Sequence, residues 1–143
     1  GQGGSRVAME AKVTWVEDRR FLGQSESGHG IVVDASGEKL APSPMELLLI
    51  GMAGCTAYDV VSILEKKRQA PVDLEVKARA ERADEPPRVY TEIEIEYVLR
   101  GRGIKAKAVE DAIRLSKEKY CSASIMLGKT ARITTSYRIF DED

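Results

Sequence analysis

"SPMELLLIGMAGCTAYDVVSIL", residues 43–64, decides how this chain is read. Ser43 is a good helix N-cap, Pro44 suits the first helical position, and Glu46 stands three residues after Ser43. Together they form a capping box ahead of an apolar run. From Leu47 to Leu64 the run is apolar on almost every side, which predicts a long, central, buried helix. It extends to about Arg68, where "EKKRQAP" (65–71) supplies a basic last turn and a proline stop. Gly51 and Gly54 interrupt it, and each costs a helix interior about 1 kcal/mol relative to alanine. The helix either continues through them or breaks and restarts. Small residues let two helix backbones approach closely, so the pattern predicts a homodimer with the two central helices packed together. A helix buried inside one chain is the alternative.

Upstream, "MEAKVTWV" (9–16) alternates, placing Met9, Ala11, Val13 and Trp15 on one face of a half-buried strand. A polar turn at "EDRR" (17–20) leads to a second strand through Gln24 and a third at "IVVDASG" (31–37). Three consecutive strands predict a small antiparallel meander. Downstream, "VDLEVKARAER" (72–82) alternates. "VYTEIEIEYVL" (89–99) does the same through Val89, Thr91, Ile93, Ile95, Tyr97 and Leu99. The two read as a long hairpin with a charged outer face. "IKAKAVEDAIRLSKEKY" (104–120) carries Ile104, Ala108, Ala112 and Leu115 at helical spacing. "CSASIMLG" (121–128) is a short link, and "ARITTSYRIF" (131–140) is a last strand. The order is βββ-α-ββ-α-β, and strands grouped apart from helices point to α+β.

The 143 residues fit one domain, taken as 9–143, and residues 1–8 are read as an expression remnant. Lys plus Arg is 22 and Asp plus Glu is 23, so charge suggests neither a nucleic-acid nor a membrane partner. No apolar run is read as reaching the roughly 18 residues that span a bilayer. Two cysteines far apart, with no export signal, predict thiols in the cytoplasm. The single histidine, His29, excludes a multi-histidine metal site. Cys55, Cys121 and His29 with a carboxylate show no close-spaced ligand pair, so no metal is expected. "GRGIK" (101–105) lacks the pattern of a phosphate loop.

The chemistry candidates are the cysteines. Cys55 is either a small buried hydrophobe or a reactive thiolate. If the glycines break the helix, Cys55 falls in the first turn of the second half, where unpaired N–H groups favour the thiolate. Cys121 sits at a second break, after "KEKY" (117–120). A nucleophile with a resolving partner is the redox reading of such a pair. His29 in "SGHG" (27–30) reads as a solvated turn residue. Met52, Met126, Phe21, Tyr58 and Tyr120 are candidates to line an apolar pocket, and core packing explains them equally well.

"SPMELLLIGMAGCTAYDVVSIL" followed by "YCSASIMLGKTARI" (120–133) resembles the OsmC/Ohr family of organic hydroperoxide reductases over nearly the whole chain from Met9. The resemblance implies an intertwined homodimer with two equivalent sites at the subunit interface. It implies that Cys55 is the peroxidatic cysteine and Cys121 the resolving one. The substrate is then an organic hydroperoxide and the reductant a dithiol such as a lipoyl protein, with no cofactor. The family also carries a glutamate after the proline that opens the central helix, paired with an arginine from the first hairpin. Here that position is Met45, while the neighbouring Glu46 serves the capping box. Arg19 and Arg20 lie in the region of the expected arginine, in a turn where solvated charge is the plain reading. The alternative function is a non-catalytic dimer that binds a small apolar ligand or senses redox state.

Overall fold

The computed structural model describes residues 8–142, so residues 1–7 of the supposed expression remnant lie outside the described residues. The chain divides into two compact units, one up to Leu48 and one from Leu49.

The first unit is the expected meander. Strands β1 (Ala11–Glu17), β2 (Arg20–Ser25) and β3 (Gly30–Asp34) pair antiparallel in the order β1-β2-β3. The β1–β2 turn is tight enough to put Asp18 at φ 52, a left-handed conformation that aspartate tolerates better than most residues. The half-burial expected of β1 is corrected: all seven residues are exposed, including Val13 and Trp15 at 65% and 66%. Alternation shows that a strand has an apolar face, and it carries no information on whether the same chain covers that face.

The carboxylate of Asp34 ends this unit's third strand in a dense set of bonds. It accepts from Ser36 N–H and O–H and from Leu40 N–H, and it lies 3.9 Å from Arg20. The Ser36 bonds hold the Asp34 carboxyl below the usual carboxylate range.

Helix α1 (Pro44–Lys66) begins in the first unit and continues through the second. The capping box forms as expected: Glu46 N–H donates to Ser43 Oγ at 3.1 Å, and Ser43 N–H donates to Glu46 Oε1 at 2.9 Å. The helix ends in a Schellman motif, with Gln69 N–H on Leu64 O and Arg68 N–H on Glu65 O. Arg68 takes the left-handed position, φ 60, that glycine more often fills. The helix runs unbroken through Gly51 and Gly54, so of the two alternatives left open there it continues. The expectation that no segment is long and apolar enough to span a bilayer is corrected, because α1 meets both criteria. Met52, Thr56, Val60 and Leu64, four residues apart in turn, are buried in the protein as one stripe of a core helix. Ile50, Gly51, Gly54 and Tyr58 are exposed in the single chain.

In the second unit, β4 (Asp73–Arg82) and β5 (Tyr90–Gly101) form the antiparallel hairpin, and β6 (Arg132–Asp141) lies parallel to β5. A parallel neighbour requires a long crossover. Helix α2 (Ala106–Leu115), a π-helical turn (Ser116–Tyr120) and α3 (Ser122–Leu127) supply it. Helix α3 is an addition to the expected order. On β5, Ile93, Ile95, Tyr97 and Leu99 are all buried, as the alternation predicts. Thr91 departs from the predicted face. The register shifts between Glu81 and Arg82, Arg82 pairs with Tyr90, and Thr91 is the extra residue. One extra residue reverses the faces beyond it, so Tyr90 is buried and Thr91 exposed.

Candidate functional site: two cysteines and an aspartate

Cys55 lies mid-helix on α1, half-buried, with no free backbone N–H groups around it. No helix start therefore lies at Cys55 to support its thiolate. Asp59 is one turn further along the same face, also half-buried. Cys121 is fully buried at the N-cap of α3. The two sulfur atoms and a carboxylate oxygen of Asp59 all lie within 4.8 Å of one another. Residues 66 positions apart in sequence thus share one site.

The π-turn explains how Cys121 arrives there. On an α-helix, positions five apart are about 140° apart around the axis. Here Cys121 N–H bonds Ser116 O at 2.8 Å, the five-residue step of a π-turn. Both residues then meet α1. The Ser116 hydroxyl reaches Thr56 and Asp59, and the Cys121 sulfur sits 3.9 Å from the Met52 carbonyl oxygen.

Ser124 holds the sulfur from the other side, donating its hydroxyl at 3.0 Å and its backbone N–H at 3.3 Å to Cys121 Sγ. Burial pushes the Cys121 thiol up from its ordinary pKa, the neighbouring Cys55 adds to that, and the two Ser124 bonds oppose it. Cys121 is thus kept as a protonated, shielded thiol, which suits a resolving partner better than a first nucleophile.

A buried chain of hydroxyls ends on Asp59. Tyr97 Oη and Thr56 Oγ1 are 2.7 Å apart, Thr56 Oγ1 and Ser116 Oγ are 2.7 Å apart, and Ser116 donates to Asp59 Oδ2 at 2.8 Å. Each hydroxyl has one proton. With Ser116 donating to the carboxylate, Thr56 donates to Ser116 and Tyr97 donates to Thr56. Burial raises the Tyr97 pKa above its usual value, the Thr56 bond opposes it, and the charge of Asp59 adds to it, so Tyr97 stays a donor. No buried side-chain nitrogen or oxygen lacks a partner among the described residues.

The other candidates have partners of their own or are exposed. Arg20, in the first unit, ion-pairs with Glu17 and Glu38 and faces Asp34. These acids hold its guanidinium firmly charged. Arg19 is exposed and donates to the Asp18 carbonyl. Met45 lies in the first turn of α1 and Glu46 is taken up by the capping box. His29 is exposed and bonds Ser27. Of the pocket candidates, Met52 is fully buried in the core, Phe21 is half-buried, and Tyr120 and Met126 are exposed. Tyr58, 73% exposed, borders a groove with Gly54, Ala57, Val61 and Leu74.

Asp59, Thr56, Ser116 and Tyr97 were not among the sequence-derived site residues. The signal for Asp59 was present: an acid at i+4 from Cys55, inside an otherwise apolar helix. The reading that no close-spaced ligand pair exists is corrected by the same two residues. Ser116 had no comparable signal, because its orientation depends on the π-turn.

The family profile described as OsmC-like protein matches residues 36–136. Protein YhfA of Escherichia coli K12 is 50% identical over 131 residues, covering 92% of this chain and 98% of YhfA. The crystal structure of a hypothetical protein from Aquifex aeolicus VF5 superposes with a TM-score of 0.87 at 33% identity, covering 96% of this chain and all of that one. A solved Legionella pneumophila protein, described as the organic hydroperoxide resistance protein OsmC and a predicted redox protein, shares the fold. Its TM-score is 0.70 at 15% identity, with 94% of this chain and 98% of that one covered.

Proposed function

The chain belongs to the OsmC-like family, and on that premise we propose that it is a thiol-dependent peroxidase that reduces organic hydroperoxides with Cys55 and Cys121. The observation that carries this reading is the approach of the two sulfurs to within 4.8 Å. In support, the Legionella structural relative is described as an organic hydroperoxide resistance protein.

The steps follow from thiol chemistry. The Cys55 thiolate attacks the terminal oxygen of ROOH. An S–O bond forms, the O–O bond breaks, and the departing alkoxide takes a proton to leave as ROH. Cys55 is now a sulfenic acid. The Cys121 sulfur attacks the Cys55 sulfur, an S–S bond of about 2.05 Å forms, and water leaves. Side-chain rotation brings the sulfurs from their resting separation to that bond length. A dithiol donor of the lipoyl class then reduces the disulfide by thiol–disulfide exchange.

The homodimer belongs to the same proposal. Exposed Ile50 and Tyr58 flank Gly51 and Gly54 on α1, and an alanine methyl at either glycine would meet nothing within 4 Å. That side of the helix has room for a second backbone to approach. Arg19 and Arg20 remain proposed electrostatic helpers to the thiolate.

Removing the resolving thiol tests the order of events. In Cys121→Ser, one equivalent of organic hydroperoxide is expected to leave a single added oxygen on Cys55, trapped by dimedone and located by peptide mass spectrometry. The wild-type protein, treated alike, should give a disulfide and no adduct. Absence of any oxygen on Cys55 in Cys121→Ser rejects its role as the nucleophile.

A further inference from the structure

The same three residues have a second chemical capacity. We propose that reduced Cys55 and Cys121, together with Asp59, form a binding site for a divalent zinc-like metal ion. Two thiolates and a carboxylate are a donor set that zinc accepts, and three protein ligands leave the fourth position open. The observation is the clustering of Cys55 Sγ, Cys121 Sγ and an Asp59 oxygen within 4.8 Å of one another. Zinc–sulfur bonds of about 2.3 Å in tetrahedral geometry place two sulfurs about 3.8 Å apart, so modest side-chain rotation suffices.

The surroundings are those of a supported site. Metal-ligating groups are characteristically oriented by further hydrogen bonds. Cys121 Sγ accepts two such bonds from Ser124, both favouring the thiolate that a metal needs. Asp59 Oδ2 accepts from Ser116, which Thr56 and Tyr97 fix in turn, leaving Oδ1 for a ligand. Among the described residues neither Asp59 nor either cysteine has an ion-pair partner. A divalent cation offsets two of the three negative charges that these groups carry once both thiols ionise. Binding releases the two thiol protons and changes no oxidation state, so no co-reactant is required. The metal and the disulfide are mutually exclusive, and metal occupancy blocks hydroperoxide turnover.

The proposal stands whether or not the pair reduces hydroperoxides, and its test uses none. The fully reduced chain is titrated with Co²⁺ and then with Zn²⁺ in a non-chelating buffer. One ion per chain is expected, with a sulfur-to-cobalt charge-transfer band in the near ultraviolet that Zn²⁺ displaces. Cys55→Ser, Cys121→Ser and Asp59→Asn are each expected to weaken Zn²⁺ binding at least tenfold. The amide introduced by Asp59→Asn retains an acceptor for Ser116, and circular dichroism checks the fold of each variant. The disulfide form of the wild type should not bind. Lack of a sulfur-to-cobalt band, or Zn²⁺ affinity unchanged in Asp59→Asn, overturns the three-ligand site.

Discussion

Cys55→Ser is expected to reduce dithiol-coupled consumption of an organic hydroperoxide at least about 10³-fold, to the uncatalysed background. A serine hydroxyl is scarcely ionised at neutral pH, and among the described residues no base stands beside it in hydrogen-bond geometry. Asp59, one turn away, has one oxygen engaged by Ser116 and is paired with no histidine. Cys121 is a poor substitute nucleophile, since it is fully buried and held as the thiol. The substitution exchanges sulfur for oxygen at a half-buried position, so the fold should survive it. Circular dichroism and the thermal midpoint, measured on the same sample, separate lost chemistry from lost structure. A residual rate within tenfold of the wild type would show that the reacting sulfur is elsewhere.

The second large effect concerns stability. Leu99→Ala should lower unfolding free energy by roughly 2–5 kcal/mol, read from urea denaturation followed by circular dichroism. Leu99 is fully buried on β5, the central strand of its sheet. It is paired with Leu74 of β4 on one side and Ile139 of β6 on the other. Truncation removes the transfer energy of the side chain and leaves a cavity. Its walls belong to hydrogen-bonded strands that cannot easily close in. Domains have only about 5–15 kcal/mol in total, so this is a large fraction. A loss under about 1 kcal/mol would mean that this sheet face is not the packed core of the second unit.

The start of α1 was legible because its signal is local: Ser43, Pro44 and Glu46 cap one another within four residues. Its continuity was not. Glycine penalties are read from sequence, but the stripe of Met52, Thr56, Val60 and Leu64 that outweighs them is a tertiary fact. Strands β1 to β3 were legible as strands, while the exposure of Val13 and Trp15 was not, because alternation does not say what covers a face. Helix α3 escaped because its cap is the Cys121 sulfur, accepting from Ser124 N–H, in place of the usual serine, threonine or aspartate.

The site divides in the same way. Cys55 and Cys121 were legible as a candidate redox pair from residue type, but as neighbours in space only through resemblance, since spacing of 66 residues carries no geometric information. Their actual approach depends on the π-turn at Ser116, whose signal is absent from "LSKEKYC" (115–121). Asp59 was legible in principle from its position one turn after Cys55. The family's paired glutamate and arginine have no counterpart at Met45. Within the second unit, the charged group beside the sulfurs is instead this aspartate.

The most direct test is to treat the fully reduced wild-type chain with one equivalent of an organic hydroperoxide and then measure its intact mass and map its peptides. Loss of two hydrogens per chain is expected, with the peptides carrying Cys55 and Cys121 joined to each other within one chain. Two thiols that stay open to alkylation after treatment, or a bond joining Cys55 of one chain to Cys55 of another, would contradict a working dithiol formed by these residues.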